Sequence, residues 1–274
     1  MSRAIQPPSS MGFLEAGDPP PVVAENCGAD SPFLLACDHA GRGVPRRLRR
    51  LGLPDAAFDA HIAWDIGALD LARRLAGALD AVLIHQVYSR LVIDCNRSPN
   101  HPQSIVTDSD GWSIPGNRDL SSEWKAARCQ AIFEPYHARI GAELDARQQR
   151  GAATVLICVH SFTPSIDGLA RPWDVGVLHM GDSAASTALL TLLRQEPGLV
   201  VGDNQPYAMD ATDYTAPLHA HRRGLDAVEL EIRQDHLQRR GGLEAMTSLF
   251  ARLLPPVCGL KAGPSWTWTA LEGS

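Results

Sequence analysis

The chain has 274 residues, enough for one large α/β domain or two small ones. Its formal net charge of −6 argues against nucleic acid or an anionic membrane as a partner, because both select basic surfaces. No run approaches the roughly 20 consecutive apolar residues of a transmembrane helix.

The cysteines indicate the cellular compartment, and the prolines indicate where the folded domain begins. The six cysteines form no CxxC pair, and Cys37, Cys95 and Cys158 lie in apolar runs. They predict a reduced, cytoplasmic protein without a disulfide framework. Residues 1–30 contain clustered prolines and no apolar signal-peptide core, which predicts an irregular arm before a single domain over residues 31–274.

Strand-like and helix-like patterns alternate along that domain. The first half predicts strands at 32–37, 81–86 and 90–95, a helix over 65–80, a long loop at 96–120, and a helix over 121–149 that Pro135 kinks and Gly151 ends. The second half predicts strands at 153–159, 174–180, 199–202 and 227–233, a helix from Asp182 to Arg194 with Asp182 as N-cap, and a C-terminal helix over 236–254 interrupted near Gly241. This order predicts a three-layer α/β/α sandwich around a mixed, mostly parallel sheet.

Polar residues follow the predicted strands where each strand ends. Asp38-His39, Asn96-Arg97 and His160-Ser161 each follow an apolar strand, and Glu229 and Glu231 share one face of the strand at 227–233. Because ligands bind beyond the carboxyl ends of strands in open α/β sheets, these residues predict one polar site.

Two histidines and a carboxylate are a common catalytic zinc set. His39 and His160 are the natural pair, with Asp38, Asp65 or Glu231 as the carboxylate. The alternatives to metal binding are that the strand-end histidines are ordinary surface residues and that Asp65 is a helix N-cap. The sequence has no HExxH, GxSxG, P-loop or GxGxxG motif in a fitting context.

Six motifs then stand in a fixed order: DHAGRGVP (38–45), HIAWDIGA (61–68), YSRLVIDCNRSP (88–99), IPGN (114–117), VHSFTP (159–164) and VELEIRQD (228–235). Together they resemble the N-formylglutamate amidohydrolase family over roughly residues 32–252. The resemblance implies a phosphorylase/hydrolase-like fold similar to that of zinc carboxypeptidases. It also implies hydrolysis of N-formyl-L-glutamate to formate and L-glutamate, the last step of one route of histidine degradation.

The resemblance also implies residue roles. His39, Asp65 and His160 become the expected ligands of one Zn²⁺ ion; zinc carboxypeptidases take their acid three residues after the first histidine, where this chain has Arg42 instead. Glu231 is expected as general base, with Glu229 as the fallback, and Arg90 as a clamp or oxyanion stabiliser. Asn96 and Arg97 are expected at the substrate α-carboxylate. Asn204 and His221, with Tyr207 and His219, lie in a loop expected to close over the substrate. Arg118, Arg222 or Arg233 is the expected second cation for a dicarboxylate.

Two alternatives remain open from the sequence. One is a zinc amidohydrolase that acts on another N-acyl amino acid or on a small peptide-like amide. The other is a binding protein that keeps the fold without catalysis, against which the intact set of His39, Asp65, His160 and Glu231 argues.

Overall fold

The computed structural model describes residues 12–166, 168–180, 183–210 and 212–258. The strands are β1 (Val22–Glu25), β2 (Phe33–Cys37), β3 (Val82–Gln86), β4 (Asp108–Ser109), β5 (Trp112–Ser113), β6 (Val155–Phe162), β7 (Ser165–Ile166), β8 (Leu169–Ala170), β9 (Val175–Leu178), β10 (Val201–Asp203) and β11 (Asp226–Arg233). The α-helices are α1 (Asp55–Asp59), α2 (Ala68–Ala78), α3 (Ser122–Arg128), α4 (Glu134–Gln149), α5 (Ala184–Leu193), α6 (Thr215–His219), α7 (Gln234–Gln238) and α8 (Gly242–Leu253).

One seven-stranded sheet organises the molecule, in the order β1-β3-β2-β6-β11-β9-β10. Strands β3, β2, β6 and β11 run parallel to one another, whereas β1 pairs antiparallel with β3 and β9 pairs antiparallel with β11. The central strands are buried along almost their whole length. The predicted mixed, mostly parallel sheet is therefore confirmed, and its parallel core brings four carboxyl ends to one edge.

Each face of the sheet carries its own apolar core, as alternation along the strands requires. On one face, Leu35 and Ile157 pack in a cluster with residues of α2, α5 and α8. On the other, Leu34 and Leu156 pack with α3, α4, α6 and irregular segments. This is the predicted α/β/α sandwich. Within the described residues, no helix combines the length and apolarity needed to cross a bilayer.

The N-terminal segment is more ordered than its prolines indicate. Residues 1–11 lie outside the described residues, but residues 22–25 form strand β1 at the sheet edge, with Val22 opposite Gln86. Phe13 is fully buried in one of the two cores. The expected irregular arm is thus wrong for residues 22–25, because an edge strand needs only one neighbour and accepts a short segment bounded by prolines. The limit of the single domain over residues 31–274 stays a prediction.

The segment RLVIDC (90–95) is not a strand, although it was predicted to be one. It is a buried turn, in which Val92 N donates to Ser89 O at 2.9 Å and Asp94 N donates to Ser104 O at 2.8 Å. Buried side chains satisfy its carbonyl groups: Asn117 Nδ2 donates to Leu91 O at 2.8 Å, and Arg128 Nη1 donates to Val92 O at 2.9 Å. An apolar run can therefore be buried without a strand ladder when other donors reach its backbone.

The helices follow the predicted pattern with shifted ends. Residues 121–149 are split into α3 and α4 by a π-helical turn at Cys129–Phe133, which places Pro135 in the first turn of α4, where its missing N–H costs nothing. Gly151, with φ of +65°, follows the end of α4 as predicted. The predicted N-cap Asp182 lies outside the described residues, and Ser183 caps α5 by accepting from Ser186 N. Strand β6 does not end at His160 but continues to Phe162, because β11 pairs with it as far as Arg233.

Candidate metal centre and active site

The three predicted metal ligands come from different elements at the carboxyl edge of the parallel strands. His39 follows β2 by two residues, and His160 lies near the end of the neighbouring β6. Asp65 lies before α2, and its backbone N–H donates to His39 O at 2.9 Å. That backbone contact fixes the Asp65 segment against the end of β2.

These three side chains are buried and converge. One ligating atom from each of His39, Asp65 and His160 lies within 4.8 Å of the others. Asp65 Oδ2 is 3.4 Å from His39 Nδ1 and 2.9 Å from His160 Nδ1. The His39 Nδ1 atom is buried and has no hydrogen-bond partner among the described residues. A nitrogen without a partner, beside a second imidazole and a carboxylate oxygen, fits a metal ion in chemistry and in placement.

A second carboxylate holds the far nitrogen of each imidazole. His39 Nε2 is 2.7 Å from Asp94 Oδ1, and His160 Nε2 is 3.2 Å from Asp38 Oδ2. Thr215 Oγ1 in turn donates to Asp38 Oδ1 at 2.7 Å. Carboxylates in this position orient metal-binding histidines and fix their tautomer. The arrangement therefore supplies the supporting groups that a metal site needs, in addition to the ligands.

The electrostatics of this cluster favour its charged forms. Burial and the nearby Arg90 oppose protonation of His39, but Asp94 and Asp65 outweigh them and its pKa is raised. Against burial, which disfavours an ionised carboxyl, His160 holds the pKa of Asp38 at about 2. The pKa of Asp65 is likewise lowered, because both histidines outweigh its burial. Ionised carboxylates facing two imidazoles provide the negative charge that a divalent cation requires.

Asp65 is not the helix cap that its position before α2 would allow. The N-cap of α2 is Gly67, whose φ of 81° is left-handed, and no side chain caps that helix. The Asp65 carboxylate instead accepts from Ser161 N at 3.3 Å and faces both histidines. Its structural role is thus in the cluster rather than in α2.

Glu229 and Glu231 point to the same face of β11, as their spacing predicts. Glu231 lies opposite His160 in the parallel register, and Glu229 lies opposite Cys158. Both side chains are buried, and the Oε2 atom of each has no hydrogen-bond partner among the described residues. Burial raises the pKa of each carboxyl to about 8. Two such carboxyls next to the histidines can exchange protons near neutral pH.

Arg90 is brought to the same cluster. Its Nη1 is 3.6 Å from Asp65 Oδ1 and its Nη2 is 2.6 Å from Asp94 Oδ2. About a third of the side chain stays accessible, at 30%. The guanidinium therefore borders the site with donors that can reach a ligand.

Asn96 and Arg97 lie nearby, but internal partners already hold them. Asn96 Oδ1 accepts from Tyr214 N and Thr215 N at 3.0 and 2.9 Å. Arg97 Nη1 donates to Asp213 Oδ1 at 2.8 Å. Asn96 thus fastens the start of α6, and Arg97 is paired with a carboxylate. Their contact with a substrate stays a prediction.

Asn204 and His221 are not brought to the three metal-ligand candidates. Asn204 Oδ1 accepts from His179 N and Met209 N, so it shapes its own loop. His221 lies in a 3-10 turn just before β11, where Asp226 is its charged neighbour, and burial lowers its pKa. The candidate metal site lies at the other end of β11, beside Glu231.

The sequence patterns did not predict every residue that lies at or near the site. Asp94 lies inside YSRLVIDCNRSP, but a carboxylate in an apolar run predicted as a strand does not stand out. Arg171 comes from a loop without a periodic pattern, and its Nη1 donates at 2.9 Å to the hydroxyl of Tyr207, which the sequence placed only in a loop expected to close over the substrate. Only the hydrogen-bonding geometry identifies Arg171.

Fold and site together define the chain as a hydrolase built on an α/β/α sandwich, with a buried His-Asp-His group that can hold a metal ion. The family model for N-formylglutamate amidohydrolase matches residues 31–237. The chain therefore belongs to the N-formylglutamate amidohydrolase family, a family of amide-bond hydrolases, as the six motifs indicate. A search of curated proteins gives no significant match.

Two solved structures resemble this one over most of both chains. Gene product Atu2144 from Agrobacterium tumefaciens is 36% identical, with a TM-score of 0.86 over 89% of this chain and 97% of that one. The N-formylglutamate amidohydrolase from Ralstonia eutropha JMP134 is 18% identical, with a TM-score of 0.62 over 87% of this chain and 97% of that one. At that identity, the second comparison supports the fold alone.

Proposed function

We propose that the protein hydrolyses the formamide bond of N-formyl-L-glutamate in a metal-dependent reaction, with one Zn²⁺ ion, as a step of histidine degradation. The observation that carries this proposal is the convergence of His39 Nδ1 and His160 Nδ1 on Asp65 Oδ2, each ring being held from behind by a carboxylate. Membership of the family supports the substrate.

His39, Asp65 and His160 would hold the ion. When bound there, zinc polarises the formyl oxygen and lowers the pKa of a water molecule, so that hydroxide is available at neutral pH. Asp94 would keep His39 oriented by accepting a hydrogen bond from its Nε2, and the Asp38 carboxylate lies 3.2 Å from Nε2 of His160 on the side away from Asp65.

Glu231 moves the protons. Its buried carboxylate, opposite His160, accepts the proton of the attacking water and returns it to the nitrogen of the departing glutamate. Arg90, whose Nη1 is 3.6 Å from Asp65, donates to the oxygen that becomes negative as the water adds. Glu231 and Arg90 thus supply the acid–base and the electrostatic parts of the reaction.

Arg97 is proposed at the α-carboxylate. Only its Nη1 donates to described residues, namely Asp213 and the Asn96 carbonyl, and a guanidinium has further N–H donors in a planar fork. Asn96 then acts through Arg97, by fixing the loop with its bonds to Tyr214 N and Thr215 N.

The test measures metal content and formate release together. We expect purified enzyme to release formate from N-formyl-L-glutamate faster than it releases acetate from N-acetyl-L-glutamate. Chelator treatment should abolish the activity until zinc is restored. His160→Ala should lose both the metal and the activity. His179→Ala is the matched control, because His179 pairs with Asp203 at the opposite end of the sheet.

Two outcomes would overturn the proposal. An active, metal-free His160→Ala protein would remove the metal from the mechanism. Metal retained without formate release would remove the substrate and direct the search to other N-acyl amino acids.

A further inference from the structure

We propose that Arg171 and Tyr207 form the subsite for the side-chain carboxylate of the substrate and so select acyl amino acids with an acidic side chain. This inference rests on the proposed hydrolysis of an N-formyl amino acid. It concerns the second negative charge of the substrate, which neither the metal ligands nor Arg97 would bind.

Arg171 is a buried cation near the metal-ligand candidates without a carboxylate partner. Arg171 is 9% exposed, and no carboxylate of the described residues pairs with it. Its guanidinium carbon lies 5.8 Å from the ring centroid of Phe162. Phe162 follows His160 by two residues on β6, so both side chains emerge on the same face, roughly 7 Å apart along the strand. A buried guanidinium that lacks an anion next to an active site is a binding position for one.

Tyr207 completes the donor pair. Arg171 Nη1 donates to its hydroxyl oxygen at 2.9 Å, and the guanidinium carbon lies 4.9 Å from the centroid of its ring. Because the phenol accepts from Arg171, its own O–H proton is free to be donated to a carboxylate oxygen. The remaining N–H groups of Arg171 and this O–H then offer donors to the same anion.

The loop that carries Tyr207 crosses strand β9 at Gly176. A Cβ atom at Gly176 would lie 2.0 Å from Gln205 O and 3.2 Å from Glu231 Cβ, so the loop contacts the strand directly beside Glu231. Asn204 Oδ1 fastens both ends of this crossing through His179 N and Met209 N. Asn204, Gln205 and Gly176 therefore hold the loop that carries Tyr207 against the strands beside Glu231.

Electrostatic effects agree with this placement. Burial and the charge of Glu231 both raise the pKa of Tyr207. Burial lowers the pKa of His61 despite Asp110, and the charges of Arg171 and Arg90 lower it further. Both arginines thus act on one region next to Asp65.

Two other expected cations are already paired with carboxylates. Arg118 is exposed and contacts Asp108 and Ser113. Arg233 pairs with Asp174 and Asp235. Arg171 has the burial and the unmatched charge that these two lack.

The experiment compares two substrates of nearly equal shape, N-formyl-L-glutamate and N-formyl-L-glutamine, using zinc-loaded full-length enzyme. We expect wild-type enzyme to prefer the glutamate derivative in kcat/KM. Arg171→Gln should lower kcat/KM for N-formyl-L-glutamate about 100-fold, mainly through KM, and leave N-formyl-L-glutamine within about threefold. Arg171→Lys should recover part of the preference, and Tyr207→Phe should reduce it about tenfold. Arg252→Gln, at an exposed arginine paired with Glu196, is the matched control and should keep the preference.

The outcomes separate the two proposals. If wild-type enzyme releases formate but Arg171→Gln keeps the preference for the charged substrate, the subsite assignment is wrong and the proposed function stands. An equal fall for both substrates in Arg171→Gln and in Tyr207→Phe would show a structural role instead. Absence of formate from either substrate with wild-type enzyme would overturn the function and the subsite together. Metal content and thermal unfolding identify any variant that fails to fold, and Tyr207→Phe, which keeps the aromatic ring, then decides the question.

Discussion

At the scale of single residues, Glu229 and Glu231 present the sharpest choice, because they share a strand face, burial and a pKa raised to about 8. Glu231 lies opposite His160, whereas Glu229 lies two residues further from the strand end, opposite Cys158. We expect Glu231→Gln to lower kcat for formate release by roughly 10²–10⁴ while the metal stays bound, since the amide cannot accept a proton.

Glu229→Gln is the matched control for that experiment. It removes a buried carboxyl from the same strand, and we expect kcat to change less than about tenfold, since the register places Glu231, and not Glu229, opposite His160. If Glu229→Gln proved the slower enzyme, the two roles would have to be exchanged.

Asp94 allows a second test at this scale. Its Oδ1 lies 2.7 Å from His39 Nε2, and its Oδ2 lies 2.6 Å from Arg90. We expect Asp94→Asn to weaken zinc binding roughly 10–100-fold, because a neutral amide orients and polarises His39 less well. Competition with a chromophoric chelator measures the affinity. Asp108→Asn, at an exposed carboxylate that contacts Arg118, should leave it unchanged; equal zinc affinity in both variants would contradict the role of Asp94.

Some residues of the candidate site could be predicted from the sequence and others could not. Strand-end position identified His39 and His160, because parallel strands must bring their carboxyl ends together. Asp94 and Arg171 were missed because they act through contacts between loops, which leave no periodic signal. Asn96 was recognised as a polar residue of the site, yet its bonds to Tyr214 N and Thr215 N are visible only in three dimensions.

At the scale of elements, the turn at residues 90–95 carries both Arg90 and Asp94, and it depends on Arg128. That guanidinium is fully buried and donates to Val92 O, Asn117 Oδ1 and Gly116 O. Burial lowers its pKa to about 10. The IPGN motif is explained in the same way, because Asn117 bridges Arg128 to Leu91 O. Predicting a strand here failed because apolar burial and β-branched residues are common to a strand and to a buried turn.

We therefore expect Arg128→Met to lower the free energy of unfolding by about 3 kcal/mol, because three buried oxygen acceptors lose their donor while the volume stays similar. Urea unfolding measures the change. Zinc affinity should fall as well, since the turn that holds Asp94 loosens.

Arg139→Met is the matched control on the neighbouring helix α4. Arg139 forms a partly accessible ion pair with Glu143 four residues on, and its removal should change the unfolding free energy by less than about 1 kcal/mol. Comparable losses in the two variants would show that Arg128 contributes no more than a surface arginine.

At the scale of the whole molecule, the alternation of elements was enough to predict the layers and the mixed sheet, since each apolar face needs a partner. It did not reveal that residues 22–25 complete the sheet edge, because a short strand next to prolines has no distinctive pattern. The same alternation predicted that His39 and His160 lie at strand ends, but it did not predict a second, buried pair of histidines. His137 and His219 join α4 to α6 in the interior and lie outside the proposed reaction.

This buried pair has a defined hydrogen-bond direction. His137 Nε2 lies 2.9 Å from Cys95 O, so it carries the proton, and His137 Nδ1 then accepts from His219 Nε2 at 2.9 Å. Burial lowers the pKa of His137 to about 4, and burial together with the charge of His137 lowers that of His219 to about 3. Both imidazoles are thus neutral in the folded protein across the physiological range.

Neutral burial makes stability depend on pH with a fixed sign. Below a pH of about 6.5 the unfolded chain binds protons at both histidines and the folded chain does not, so stability falls as the pH drops. Between pH 7 and pH 5 each imidazole should remove about 2 kcal/mol from the free energy of unfolding. Glu229 and Glu231 titrate in the opposite sense, because their raised pKa values stabilise the folded state as the pH falls.

A variant isolates the contribution of one histidine from these opposing effects. We expect His219→Gln, whose amide can still donate to His137 Nδ1, to lose about 2 kcal/mol less stability than the wild type between pH 7 and pH 5. Urea unfolding of both proteins at each pH gives the difference, in which the common titration of the two glutamates cancels. Parallel curves for His219→Gln and wild type would mean that His219 is protonated in the folded protein as readily as in the unfolded chain, which would contradict a neutral, buried His219.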